Sequence, residues 1–227
     1  MENYIRDNSL KEPVVLKELR ESCQHEVNPV QDQLIRTLIK VSGGKKCLVV
    51  GKQTGYSALS AALGLPEAGH VFAVDFHQEY VDETYKESFE KAKVQEKMTL
   101  KIGNPVEVMD ELARENHDET FDFIHIVNGE PLQFENYIER AYVLAKSNGV
   151  IVLGDMLQKG RVVECSDDNK KGDGEMSTEQ RSAALSVDKL NKKLHKDRRF
   201  DVNLLPNGLA LDRATIITMT ITIYEKM

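Results

Sequence analysis

Apolar positions along this chain switch between two periods, and the switch points mark its elements. Over residues 12–25, Val14, Val15, Leu16 and Leu19 share one side of a helix, with charges opposite. Asn28-Pro29 then opens a second helix. Asn offers a side-chain acceptor to the first turn, and Pro needs no amide donor there. Leu34, Ile35, Leu38 and Ile39 continue that helix, and Gly43-Gly44 ends it. From Lys46 onward, short β-branched runs alternate with helical stretches. Strands are predicted over 46–50, 70–75, 99–102, 121–127 and 149–153, and helices over 55–63, 79–93, 105–113 and 134–146. Strands separated by helices pair in parallel through right-handed crossovers, so the pattern predicts an α/β fold with a mostly parallel sheet. The tail departs from it. Residues 164–178, containing CSDDNKKGDGEMST, read as a mobile loop, followed by a helix over 179–195 and strands over 200–205 and 215–224. Pro206-Asn207-Gly208 between the last two predicts an antiparallel pair at the sheet edge. No repeat or linker interrupts residues 1–227, which read as one domain.

Composition narrows the function classes. A chain of 227 residues, 41% hydrophobic and 30% charged, has the mix of a globular protein. Its net charge of −7 disfavours nucleic acid, which calls for clustered Lys and Arg. No apolar run approaches the roughly 20 residues of a membrane span, and the N-terminus lacks the apolar stretch of a secretion signal. Cys23, Cys47 and Cys165 are scattered, without a zinc-type pairing, and a reducing cytoplasm is the expected compartment.

The first strand runs into Gly51-Lys52-Gln53-Thr54-Gly55-Tyr56-Ser57. Glycines there let a backbone approach a ligand at the carboxyl ends of the strands, where open α/β sheets bind ligands. The spacing is neither GxGxxG nor the phosphate loop ending in Lys-Ser/Thr, which disfavours a nucleotide-dependent dehydrogenase. The second strand ends in Asp75, whose carboxylate suits the two hydroxyls of a ribose. Together the loop and the acid suggest a nucleoside cofactor. The plainer alternative is a strand–helix turn whose glycines relieve crowding, with Asp75 capping the next helix.

Three stretches carry a family resemblance: NPVQDQLIRTLIKVSGGKKCLVVGKQTGYSALSAALGLPEAGHVFAVD, FDFIHIVNGEPLQFENYIERAYVLAKSNGVIVLGDMLQKGRVVE and LNKKLHKDRRFDVNLLPNGLALDR. The chain resembles the S-adenosylmethionine-dependent O-methyltransferases of the caffeoyl-CoA and catechol type, from about Asn28 to Arg213. The resemblance implies a Rossmann-like class I methyltransferase fold. Its sheet would have seven mostly parallel strands with the last one antiparallel, helices on both faces, and the helical segment 1–42 over the site. It also implies a cofactor position. Gly51 and Gly55 would line the methionine part, Ser57 would hold its carboxylate, Asp75 the ribose, and Gly103-Asn104-Pro105 would border the adenine. Thr54, Tyr56 and Phe76 complete the implied contacts, with Tyr56 equally readable as a packing residue. A homodimer acting on a small-molecule hydroxyl is the implied assembly and chemistry.

Where the family carries Glu, two residues before the first glycine, this chain has Val49. The Asp-Ala that usually follows Gly103 is Asn104-Pro105. The larger departures lie at the chemistry. The fourth strand of the family ends Asp-Ala-Asp-Lys, with a metal-binding Asp and a basic Lys; those two positions are Val127 and Glu130. The fifth ends in the metal ligands Asp-Asn, replaced by Gly154-Asp155, and the Trp common beyond it is Gln158. Magnesium needs oxygen donors, which Val127 and Gly154 lack. Glu130 and Asp155 remain as candidate catalytic carboxylates, able to act as a general base or to hold a cation with water, or else are solvated loop acids. A divalent metal is therefore doubtful. Within 121–127, His125 shares the face of Val127 and reads as a packed histidine. His77 reads as a nucleoside contact or a surface residue, and the basic run over 189–199 as a solvated helix face that could attract an anion. Two functions follow: methyl transfer to a phenol- or catechol-like hydroxyl with altered or absent metal, or a degenerate relative that binds S-adenosylmethionine or another nucleoside as a scaffold.

Overall fold

Strand β1 (Lys46–Gly51) shows how the layers form. Its side chains alternate, Cys47 and Val49 into one apolar cluster, Leu48 and Val50 into another. A strand buried on both faces is the mark of a parallel sheet covered by helices on each side. A computed structural model gives the arrangement and describes residues 2–22, 27–76, 83–127, 129–166, 176–207 and 217–223. The other strands are β2 (His70–Asp75), β3 (Met98–Ile102), β4 (Phe121–Val127), β5 (Ala145–Gly154), β6 (Asp201–Asn207) and β7 (Ile217–Ile223). They form one seven-stranded sheet in the order β3-β2-β1-β4-β5-β7-β6. β1 to β5 pair in parallel. β7 runs antiparallel between β5 and β6, which leaves β6 at the edge.

The helices are α1 (Glu2–Ser9), α2 (Val14–Ser22), α3 (Pro29–Ser42), α4 (Gly55–Gly64), α5 (Glu83–Lys91), α6 (Pro105–Leu112), α7 (Phe134–Leu144), α8 (Arg161–Ser166) and α9 (Thr178–Leu194). Side chains from α2, α3, α4 and α5 share a cluster with Val49, Ala73, Phe123 and Val152 on one face. Those of α6, α7, α8 and α9 pack with Val50, Ile124, Ile126 and Leu153 on the other. The chain builds outward from β1 to β3, then returns to place β4 on the other side of β1. The carboxyl ends of β1 and β4 therefore flank the topological switch point, where open α/β sheets form a crevice.

The predicted elements appear with small shifts. Asn28 caps α3, accepting from the Gln31 amide at 3.1 Å, and Gly43 ends it at φ +66°. Two readings change. Helix α1 was not read from the apolar pattern, because ENYIRDNS has no apolar stripe, and fell only within the helical segment 1–42 that the resemblance implied; it is tied down through Gln33, which accepts from the Lys11 amide and donates to the Ser9 carbonyl. Residues 161–166 form α8, so the expected loop over 164–178 starts later than predicted, Val162 being drawn into the core. Residues 167–175 lie outside the described residues, as do Cys23, His77, Asn128 and the turn at Gly208. Cys47 is buried and Cys165 half-buried, both free thiols. No helix among the described residues is long and apolar enough to cross a membrane.

Candidate active site

The crevice begins where β1 and β4 part. Gly51 takes φ +148°, and a Cβ built on it would lie 1.6 Å from the Val127 carbonyl oxygen. No side chain fits, so the backbone of the loop sits directly against the end of β4. Gln53 follows in the left-handed region at φ +58°, and α4 starts at Gly55. The ring of Tyr85 packs flat on Gly55, where a Cβ would meet it at 2.3 Å.

Asp75, fully buried, ties this loop to β2. Its Oδ2 accepts from the Thr54 amide at 2.8 Å and from the Thr54 hydroxyl at 3.1 Å, while its carbonyl accepts from the Gly103 amide at 2.9 Å. Asp75 thus draws together the ends of β1, β2 and β3, its carboxylate holding the loop after β1 and its carbonyl the end of β3. Gly103 takes φ +152°, Asn104 caps α6 by accepting from the Val106 amide, and Pro105 occupies the first turn with no donor to lose. Phe76 lies beneath the Lys52 ammonium, 5.2 Å from its ring centre. Of the sequence-predicted cofactor residues, Gly51, Thr54, Gly55, Asp75 and Gly103 form this continuous cradle. Tyr56 is turned the other way. It donates to Glu12 Oε1 at 2.6 Å beside the Arg20 guanidinium, within the cluster under α2 and α3. Burial would raise the Glu12 carboxyl, but the hydrogen bonds from Arg20 and Tyr56 outweigh it and hold it below its ordinary range.

Helix α3 supplies two residues that the sequence reading passed over. Gln31 and Asp32 are both buried in its first turn. The Gln31 amide nitrogen lies 3.7 Å from a Cβ built on Gly154, at the end of β5. Asp32 is set beside Ser57, whose hydroxyl favours its charged form. The available signal was periodic: 31, 32, 35, 36 and 39 form the buried stripe of α3, and three of those five are polar.

The ends of β4 and β5 are built differently. Val127 ends β4 without a polar side chain, and Gly129 is held under α7, a Cβ there lying 2.7 Å from Phe134 and 3.2 Å from Tyr137. Burial, with the charge of Glu130 adding, pushes the Tyr137 phenol up to about 12. Glu130 pairs with Lys52 at 3.0 Å, both half-exposed, so an ion pair spans from the β1 loop to the β4 loop. Beyond β5, Asp155 sits at φ +59° and accepts from Gln158 Nε2 at 2.9 Å. Burial raises its carboxyl to about 6 against the opposing charges of Arg161 and Lys159. Glu130 and Asp155 thus have separate partners on opposite sides of the Val127 strand end. No group of three or more His, Cys, Asp or Glu gathers for a metal ion among the described residues. A hard cation would find one half-buried carboxylate here, since Val127 and Gly154 offer no side-chain oxygen, so the donor set does not fit such an ion. His125 is buried as expected, with both ring nitrogens lacking a hydrogen-bond partner and its pKa pushed down to about 3 by burial.

Comparison with known proteins places this fold. The family model described as O-methyltransferase matches residues 6–215. Caffeoyl-CoA O-methyltransferase 1 of Zea mays is 36% identical over 214 residues, covering 90% of this chain and 80% of the relative. The Arabidopsis thaliana enzyme of the same name is 35% identical over 214 residues, with the same coverage. Among solved structures, the O-methyltransferase from Bacillus cereus in complex with SAH superposes with a TM-score of 0.80 at 17% identity, covering 99% of this chain and 96% of that one.

Proposed function

Since this chain belongs to the S-adenosylmethionine-dependent O-methyltransferase family of the caffeoyl-CoA type, we propose that it methylates the hydroxyl of a small phenol- or catechol-like acceptor without a divalent ion. The observation that carries the metal-free part is the pair of strand ends: Val127 and Gly154 have no oxygen to give, while Asp155 beside them is a carboxyl poised near neutrality. The cradle of Gly51, Thr54, Gly55 and Asp75 supports cofactor binding, with Ser57 toward the methionine carboxylate and Gly103 to Pro105 toward the adenine. S-adenosylmethionine, when bound, supplies an electrophilic methyl group. The residues of this chain do the rest. Asp155, one oxygen held by Gln158, takes the proton of the acceptor hydroxyl. A base with a pKa of about 6 removes a proton from a phenol of about 10 only at a cost, so acidic acceptors react best. The Lys52–Glu130 pair lies at the rim and positions the acceptor, with Lys52 offering positive charge to a developing phenolate. In this reading residues 1–42 cover the cleft, the enzyme works in the cytoplasm, and it is a homodimer, which sedimentation would test. The deciding experiment is a methyl-transfer screen over catechols and simpler phenols, with and without a chelator. Transfer unaffected by chelation is expected; transfer abolished by chelation and restored by magnesium overturns the metal-free mechanism.

A further inference from the structure

Asp32 is 5% exposed and its Oδ1 finds no hydrogen-bond partner, and the charge of Arg36 only partly offsets its burial. Arg36, one turn along α3, sends its guanidinium instead to the Ser60 hydroxyl at 3.5 Å and the Lys11 carbonyl at 3.2 Å. An acid in the first turn of a helix is ordinarily explained by the helix dipole, but such acids stay in water, where the charge costs little. A buried carboxylate oxygen with nothing to accept is instead a cost of about 1–3 kcal/mol that most folds avoid. The position of this one matters. Its neighbour on α4 is Ser57, the residue read above as the contact for the carboxylate of the cofactor's methionine part. That part is a zwitterion, and its second charge, the α-ammonium, needs an acceptor. The end of β1 supplies no side-chain acceptor, because Val49 and Val50 are apolar and Gly51 has no side chain.

We propose that Asp32 is the residue that receives the α-ammonium of the cofactor, so that α3 and α4 together read the two charges of its amino-acid end. The proposal rests on the cofactor reading above. Three NH donors on the ammonium match an orphaned acceptor, and the ion pair forms in a site already screened from water. Burial holds the free Asp32 carboxyl at about 7, opposed by Ser57 and by the charge of Arg36. The other titratable group that senses it is the Tyr56 hydroxyl. At pH 7 the free acid is therefore about half protonated, and seating a cation against it drives that proton off.

The test is calorimetry of the full chain with two ligands, S-adenosylhomocysteine and 5′-deoxy-5′-methylthioadenosine. They share the nucleoside and thioether and differ in the amino-acid end. With the wild-type protein, binding of S-adenosylhomocysteine at pH 7, measured in two buffers of different ionisation enthalpy, should release about half a proton. Asp32→Asn should release none and bind S-adenosylhomocysteine at least about tenfold more weakly, while its affinity for the methylthio ligand stays unchanged. Asp32→Ala should behave alike, and thermal melting of both ligand-free variants should show no loss of stability. Equal weakening for both ligands, or a wild-type proton release and affinity retained in Asp32→Asn, overturns the proposal and leaves the cofactor reading standing. Failure of the wild-type protein to bind either ligand removes both.

Discussion

The two halves of the crevice are built by opposite rules. On the side of β1, β2 and β3, every polar group that holds the loop is paired inside the protein: Asp75 binds Thr54 twice, and Gly103 closes on the Asp75 carbonyl. Steric contacts leave no room for change, as at Gly51 and Gly55. On the side of β4 and β5, the polar groups are paired locally, Glu130 with Lys52 at the half-exposed rim and the half-buried Asp155 with the buried Gln158. The first side is a preorganised cradle, and the second a rim of adjustable side chains. The contrast teaches that the β1–β3 side of this crevice is held through backbone geometry, which tolerates few substitutions. The β4–β5 side depends on side chains that can be exchanged while the sheet stays intact.

Substitutions should separate the two sides. The largest effect is expected from Gly51→Ala. Its methyl would collide with the Val127 carbonyl in a backbone conformation that Ala rarely adopts, so overpacking and strain together should cost about 4 kcal/mol or more in urea unfolding. Next, Asp155→Asn should lower kcat by about 10²–10⁴-fold with little change in fold. The wild-type rate should rise with pH through about 6, as the carboxyl becomes a base, and Asp155→Asn should lose that limb. Stability runs the other way. The folded carboxyl is raised to about 6 from an unfolded value near 3.8, so the stability linked to its neutral form is present below about pH 4 and lost as pH rises through 6. Asp155→Asn should therefore unfold at higher temperature than the wild type above pH 6, and the gap should close below pH 4.

A smaller loss belongs to the cradle again. Asp75→Ala strands the buried Thr54 amide and should cost about 1–3 kcal/mol, along with cofactor affinity, in melts run with and without S-adenosylhomocysteine. The smallest effect should come from Glu130→Gln, which breaks a half-exposed ion pair worth at most about 1 kcal/mol. Its melting temperature should barely move, while KM for the acceptor shifts. A Glu130→Gln variant that unfolds like Asp75→Ala would erase the distinction between the halves.

Most of the fold was legible in the alternation of apolar runs, because parallel strands and their covering helices each leave a period that tertiary packing does not override. β2 and β4 fall where the pattern put them, and β6 pairs antiparallel with β7 as expected, although β6 runs on through Pro206 and Asn207, where the pattern had put the break. Helix α1 escaped because it has no apolar stripe to read and is held by two contacts to Gln33. In the site, Gly51, Asp75 and Asp155 were visible as residue types at strand ends. Lys52 and Asp32 were not, since their meaning lies in partners far off in sequence, Glu130 and Ser57.

By itself the sequence determined the alternation of strands and helices, the glycine loop after the first strand and the lack of side-chain oxygen at Val127 and Gly154, because periodicity, missing side chains and strand-end positions are local properties. Only the tertiary structure decided that Tyr56 turns toward Glu12, that Glu130 is answered by Lys52, and that Asp32 is buried beside Ser57 with an oxygen unmet. Burial and long-range pairing set the energy of a charge, and neither is written in the spacing of residues along the chain.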